Sequence, residues 1–186
     1  MQKIAPGALE SLLPGLEDKA SLSVADGPDV STANAIFLFI SDIGADKTTN
    51  LLLMYGEREL IPHYVLRADV KDSLDQQWAR LSFGRSIKDV IPFLPMEKKE
   101  IEEVFRLKMT EIERHFRGQY WGNLVIDDSV IDYLSGPKFV KYRIHTANFT
   151  SRESGEAFTR TKTLAVLGAR ALENAGVFNL FSMLMP

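Results

Sequence analysis

Ala35-Ile-Phe-Leu-Phe-Ile-Ser-Asp-Ile-Gly-Ala-Asp46 is the stretch whose reading decides the fold. Its apolar residues run unbroken from Ala35 to Ile40 and stop at Ser41-Asp42. A short Ile- and Phe-rich run bounded by loop residues predicts a central strand covered on both faces, as in a parallel sheet. Asp46 or Thr48 then caps a helix expected to reach Tyr55. Further on, Ile87 to Phe93 forms a second apolar run, and Pro92 marks it as an edge strand or a strand end.

Working outward, Leu9, Leu12, Leu13 and Leu16 fall at helical spacing over residues 5–17, with Pro14-Gly15 expected to end or kink that helix. Asp26-Gly27-Pro28 signals a loop. Residues 60–82 read as partly helical, interrupted at Pro62. The clearest helix is 96–117: Ile101, Val104, Phe105, Ile112 and Phe116 share one face. Glu97 and Glu100 lie in its first turn, and Arg114, His115 and Arg117 in its last. Residues 124–126 predict a short strand, and Asp127-Asp128 cap a helix through Leu134 that Gly136-Pro137 ends. Residues 136–156 are mixed in pattern. An Ala/Leu-rich helix is expected over 159–175, followed by an apolar tail over 177–186.

The 186 residues suffice for one ordinary domain, or for a core with an appendage. With 45% hydrophobic and 25% charged residues, the composition is that of a globular chain, not a disordered one. A formal charge of −3 argues against nucleic acid as the principal partner. There is no cysteine, which excludes disulfides, thiolate metal sites and cysteine nucleophiles. The apolar runs fall far short of the roughly 20 residues needed to cross a bilayer. His63, His115 and His145 are scattered, with no metal-ligand spacing. Ser41-Asp42 lacks the glycine context of a nucleophile elbow. Asn148-Phe149-Thr150 is a glycosylation sequon, relevant only in a secretory compartment.

Several phrases in order resemble the trailing part of an AAA+ ATPase of the torsin and Clp kind. Gly7, Pro14, Leu16 and Glu17 are similar to the torsin segment after the Walker B acids. Ile36-Phe-Leu-Phe39 with Ser41-Asp42 and Gly44-Ala45 resembles the sensor 1 strand and turn. Ile91-Pro-Phe-Leu-Pro-Met-Glu97 resembles the torsin phrase leading into the small C-terminal lid. Ile126-Asp-Asp-Ser-Val-Ile-Asp-Tyr-Leu-Ser135 is similar to a Clp lid helix, and Gly168-Ala169-Arg170 to sensor 2. The resemblance implies an α/β fold: residues 1–95 as the C-terminal part of the AAA+ parallel-sheet core, and 96–186 as a mostly helical lid. It spans about 1–135 and 163–173, leaving 136–160 poorly matched.

The resemblance implies three site residues. Asp42 takes the sensor 1 position, where the family usually has Asn to orient the water attacking a γ-phosphate. A carboxylate there repels phosphate unless Mg²⁺ or an arginine is near. Arg170 takes the sensor 2 position, a guanidinium whose planar fork suits phosphate oxygens. Arg85, with Arg80 nearby, is the nearest candidate for an arginine finger and falls one residue off the Clp position. The plain structural alternatives are a turn cap for Asp42 and solvated cations for both arginines.

The implied cofactors are ATP and Mg²⁺, and the implied activity is hydrolysis coupled to protein remodelling in a complete parent. These residues contain no Gly-x-x-x-x-Gly-Lys loop, so the chain is expected to be a fragment, from a truncated gene model, that does not hydrolyse ATP alone. Expected partners are protein clients or an activator and further copies of the parent. Nucleic acid is not expected, and a membrane only through a partner. A torsin-like parent implies the endoplasmic reticulum lumen; a Clp-like one implies the cytosol or an organelle matrix. The alternative is a non-enzymatic interaction or oligomerisation module derived from an AAA+ domain. A sheet lacking its first strands would expose an unpaired edge, so poor solubility is expected.

Overall fold

Two compact units, Met1–Leu94 and Pro95–Pro186, divide the chain in the computed structural model, which describes residues 6–17, 20–118 and 122–168. The first unit opens with α1 (Pro6–Leu16) and a two-residue ladder of β1 (Ser21–Leu22) with β2 (Val30–Ser31). Then follow α2 (Ala45–Tyr55), a 3-10 turn (Arg58–Leu60), α3 (His63–Gln77) and the short α4 (Phe83–Ser86). Pro14 lies inside α1, which runs on past Gly15 only to Leu16. Gly15 is needed because α1 passes close over β1, and a Cβ there would meet Leu22 at 2.8 Å.

Leu9, Leu74, Trp78 and Phe83 form this unit's core, with Phe39, Val70 and Ile87 packed against it. Phe83 stands edge-on to both Phe39 and Trp78, each at 5.5 Å between centroids. This is the favoured aromatic geometry. The α3–α4 turn holds Phe83 inward. Ser82 adopts a left-handed φ of 46°, and Gly84 N–H donates to Asp75 Oδ1 at 2.7 Å.

Residues 35–40 are irregular and belong to no ladder, and the same is true of 87–93. The parallel sheet expected for this unit is therefore absent among the described residues, whose ladders are both antiparallel and two-stranded. Strand structure requires a hydrogen-bonded neighbour. Ile36 to Phe39 make no main-chain hydrogen bond with any described residue. The run is covered on one face only: Phe37 and Phe39 are half-buried while Ile36, Leu38 and Ile40 are exposed.

The second unit is built on α5 (Lys98–Phe116), as its periodicity predicts. Ile101, Phe105 and Met109, one turn apart, are buried against Ile131 and Leu134 of α6 (Asp128–Leu134), Val140 and Ala165. Burial of each large side chain stabilises by about 1.5–3 kcal/mol. Asp127 caps α6, accepting from Ser129 N–H at 2.8 Å. The Ser129 hydroxyl and N–H hold the Asp127 carboxyl below its ordinary pKa. Residues 124–126, expected as a strand, are irregular.

The helix expected over 159–175 is corrected over 159–165, and its part from 169 to 175 lies outside the described residues. Residues 157–165 form β4 (Ala157–Ala165), paired antiparallel with β3 (Tyr142–Thr150) through nine residue pairs. Among its described residues the unit is thus two helices and a long hairpin. Thr159, Thr161 and Thr163 alternate with Arg160 and Lys162, and β-branched residues at period two favour a strand. Gly155, with φ 71°, supplies the left-handed position in the connecting turn.

Candidate functional site

Asp42 stands where the apolar run meets α2. Ser41 Oγ accepts from Ile43 N–H at 3.1 Å, the Asp42 carbonyl accepts from Ala45 N–H at 3.1 Å, and Gly44 takes a φ of 86°. These bonds form a tight corner from which the chain enters α2. The left-handed Gly44 also lies close over α3; a Cβ would meet Val70 and Ser73 at 3.4 Å. Asp42 is exposed and borders a recess of about 390 Å³ with Asp46, Lys47, Ser73 and Gln77.

Chemically the recess is acidic and polar. Among the described residues, Asp42, Asp46 and Lys47 are the charged side chains lining it. A triphosphate brings several negative charges and needs cationic side chains or a metal beside it. The recess does not supply them, and the described residues contain no cluster of three or more His, Asp or Glu side chains able to hold a metal. Its residues do not by themselves fit ATP·Mg²⁺.

Arg85 lies exposed on α4, its N–H donating to Ser82 O at 3.0 Å, and does not line the Asp42 recess. Arg80 is likewise exposed, after α3. Arg170 and the apolar tail lie outside the described residues. The structure therefore gives Asp42 and Arg85 separate places and does not join them in one site.

A larger feature of the first unit has no counterpart in the motif reading. A cleft of about 760 Å³ is lined by residues within 35–41 and 86–93 together with Ile43, Val70 and Leu74. Ile36, Leu38, Ile40, Ile91 and Phe93 line it and are 78–88% exposed. The sequence offered no signal for it, because 35–40 is apolar throughout and such a run reads as covered on both faces.

The second unit has a polar cluster of its own. Lys162 Nζ donates to both carboxylate oxygens of Glu97 at 2.8 Å, and Glu97 N–H donates to Glu100 Oε2 at 2.8 Å, joining β4 to the start of α5. Tyr142 donates to the Ser135 carbonyl at 2.5 Å, and burial, with the Glu102 charge adding to it, pushes its pKa up to about 12. Every polar atom named here has a protein partner, so the cluster reads as a fastening of hairpin to helices.

In sequence, the chain is similar to the chaperone protein ClpB of Chlamydia pneumoniae, with 28% identity over 106 residues. The matched stretch is 57% of this chain and 12% of that protein, so the chain spans a small part of its relative. No protein-family model matches the sequence. No solved structure matches it. The similarity points to a Clp-like, AAA+ chaperone relationship.

Proposed function

We propose that these residues carry the sensor and lid portion of a Clp-like AAA+ chaperone, in which ATP hydrolysis drives remodelling of protein clients. The observation that carries this reading is the ClpB similarity over 106 residues. The ordered phrases around Asp42, Ile91–Glu97, Asp127 and Gly168 support it. In the complete parent, Asp42 would face the attacking water, Arg170 would contact the phosphates, and like copies would assemble around client proteins. The acidic Asp42 recess supports the second part of the proposal: residues 1–186 alone do not bind or turn over Mg·ATP. The Clp side of the resemblance is favoured over the torsin side because position 170 is arginine, whereas torsins carry lysine there.

Two measurements test the two parts. Reading the genomic DNA upstream of the Met1 codon is expected to reveal an in-frame Gly-x-x-x-x-Gly-Lys-Ser/Thr followed by an acidic strand; a stop codon with neither sinks the ATPase reading. Titrating residues 1–186 with a fluorescent ATP analogue and Mg²⁺ is expected to give no saturation below about 1 mM, the weak end of specific binding. Saturation in the micromolar range overturns the fragment part.

A further inference from the structure

The β3–β4 hairpin sorts its side chains by chemistry. Successive strand residues point to opposite faces, and the register decides which of them share one. Arg143, His145, Arg160 and Lys162 all fall on one face, together with the cross-strand pair Phe149 and Phe158. The opposite face carries Ile144, Thr146, Asn148, Thr159, Thr161 and Thr163 and no charge. Neither paired strand contains an Asp or Glu. From Lys141 to Ala165 there are five Lys and Arg against two Glu, in a chain whose formal charge is −3. The average therefore hides a basic face.

The aromatic pair stands at the turn end of that face. Phe149 and Phe158 lie 5.6 Å apart between centroids, tilted by 31°, and the Arg160 guanidinium stands 5.2 Å from the Phe158 ring. Both rings keep part of their surface exposed, and neither belongs to the core around Ile101 and Phe105. The hairpin is fastened at its other end, where Ala165 N–H donates to Met96 O, Tyr142 to Ser135 O and Lys162 to Glu97. A cross-strand aromatic pair by itself steadies a hairpin. It does not account for cations gathered beside the rings, or for strands free of acids.

We infer that this face binds single-stranded nucleic acid, bases stacking on Phe149, Phe158 and the Arg160 guanidinium while Arg143 and Arg160 meet the phosphates. Unpaired bases offer flat π-faces to aromatic rings and guanidinium planes, and the backbone between them needs cations. Same-face side chains recur about every 6.7 Å along a strand, a repeat that an extended run of nucleotides can follow. Lys162 is engaged with Glu97 and is not counted among the phosphate contacts. An acidic peptide would meet the cations and leave the rings unused, and a duplex keeps its base faces inside its own stack. The inference stands apart from the ATPase reading, because it needs neither a nucleoside triphosphate nor a longer parent.

Fluorescence anisotropy of residues 1–186 with a labelled oligo-U of about 12 nucleotides is the test. At about 50 mM salt it is expected to saturate with a Kd of about 1–100 µM, the range of sequence-independent binding. Phe149→Leu with Phe158→Leu should weaken binding at least tenfold, since one stacked base is worth about 5- to 150-fold. Phe149→Tyr, which keeps a stacking ring, should retain it. Two phosphate contacts give a log–log salt slope of about −1.4, and Arg143→Gln should halve that slope. Arg143 is exposed, so the far-UV circular dichroism of this variant should be unchanged. Thr161→Gln, on the opposite face, should leave the affinity unaltered. No saturation up to about 1 mM, equally tight binding of polyglutamate or of a duplex of the same length, full affinity in the double Phe variant, or a salt slope indifferent to Arg143→Gln would each overturn the inference.

Discussion

The two units of this chain meet the same requirement, finding a partner for a strand-forming sequence, with opposite success. In the C-terminal unit β3 and β4 match residue for residue, from Tyr142 opposite Ala165 to Thr150 opposite Ala157. The ladder is tied onward, Ala165 N–H donating to Met96 O at 2.7 Å. In the N-terminal unit the only ladder among the described residues pairs two residues with two, while its most apolar segment, 35–40, joins no ladder. Hydrophobicity alone therefore does not make a strand. The hairpin is the more polar sequence, and it is the one that finds a partner.

If this contrast is right, core damage should be felt within one unit at a time. Phe105→Ala removes a fully buried ring from the C-terminal core and is expected to cost about 3–5 kcal/mol. Hydrogen exchange read by mass spectrometry should then show lost protection in α5, α6 and the hairpin, with α3 unaffected; equal loss in both units would contradict the division. Gly84→Ala probes the other unit. Its Cβ would sit 2.5 Å from the Lys71 carbonyl, a backbone atom that must move, at a cost of about 1–3 kcal/mol. Urea unfolding followed through Trp78, in a Trp121→Phe background, should report the change, and an unchanged midpoint would argue against that close approach.

Lys162→Met sharpens the account of how the hairpin is held. It leaves the largely buried Glu97 carboxylate without its cation, and a loss of about 1.5–3 kcal/mol is expected. Glu97→Gln together with Lys162→Met should recover part of it in a double-mutant cycle; strict additivity would show that the pair does not act as one.

Two titrations complete the comparison. The Tyr142 pKa is raised to about 12. The protonated phenol is favoured in the fold, so its contribution is complete below about pH 10 and is lost as pH climbs from 10 towards 12. Tyr142→Phe should flatten stability over that window. Asp127 runs in the reverse sense and is the smaller effect. Its carboxyl is held low by Ser129, so the cap stabilises α6 above the ordinary carboxylate range and fails as pH falls through the folded value. Asp127→Asn should lessen that acid sensitivity in a melting series.

Helices were the legible part of this fold. The α5 stripe, its acidic start and basic end, and the Asp127 cap each act within a turn or two, so local sequence determines them. Sheet was less legible because it depends on who stands opposite. Ala35–Ile40 has the composition of a buried strand and lacks a described neighbour. Residues 157–165 were masked by Leu164, Ala165 and Leu167, which suit a helix until alternating threonines are counted. Asp42 was found through motif order, and its corner is indeed where the chain turns into α2. No pattern around it, however, predicted that Asp46 would share the recess and leave it acidic. Arg170 falls beyond what the structure describes.

The β3–β4 hairpin also bears on the order of assembly. Its nine pairs close over the short turn 151–156, where Ser151 N–H donates to Glu156 O at 2.8 Å. Contacts so near in sequence cost little chain entropy to gather, and hairpins of this kind zip in about 1–10 µs. On emergence from a ribosome, therefore, the last described element is a quick one to form. It gives Met96 and α5, already made, a template to settle upon, and chain order and folding order need not coincide.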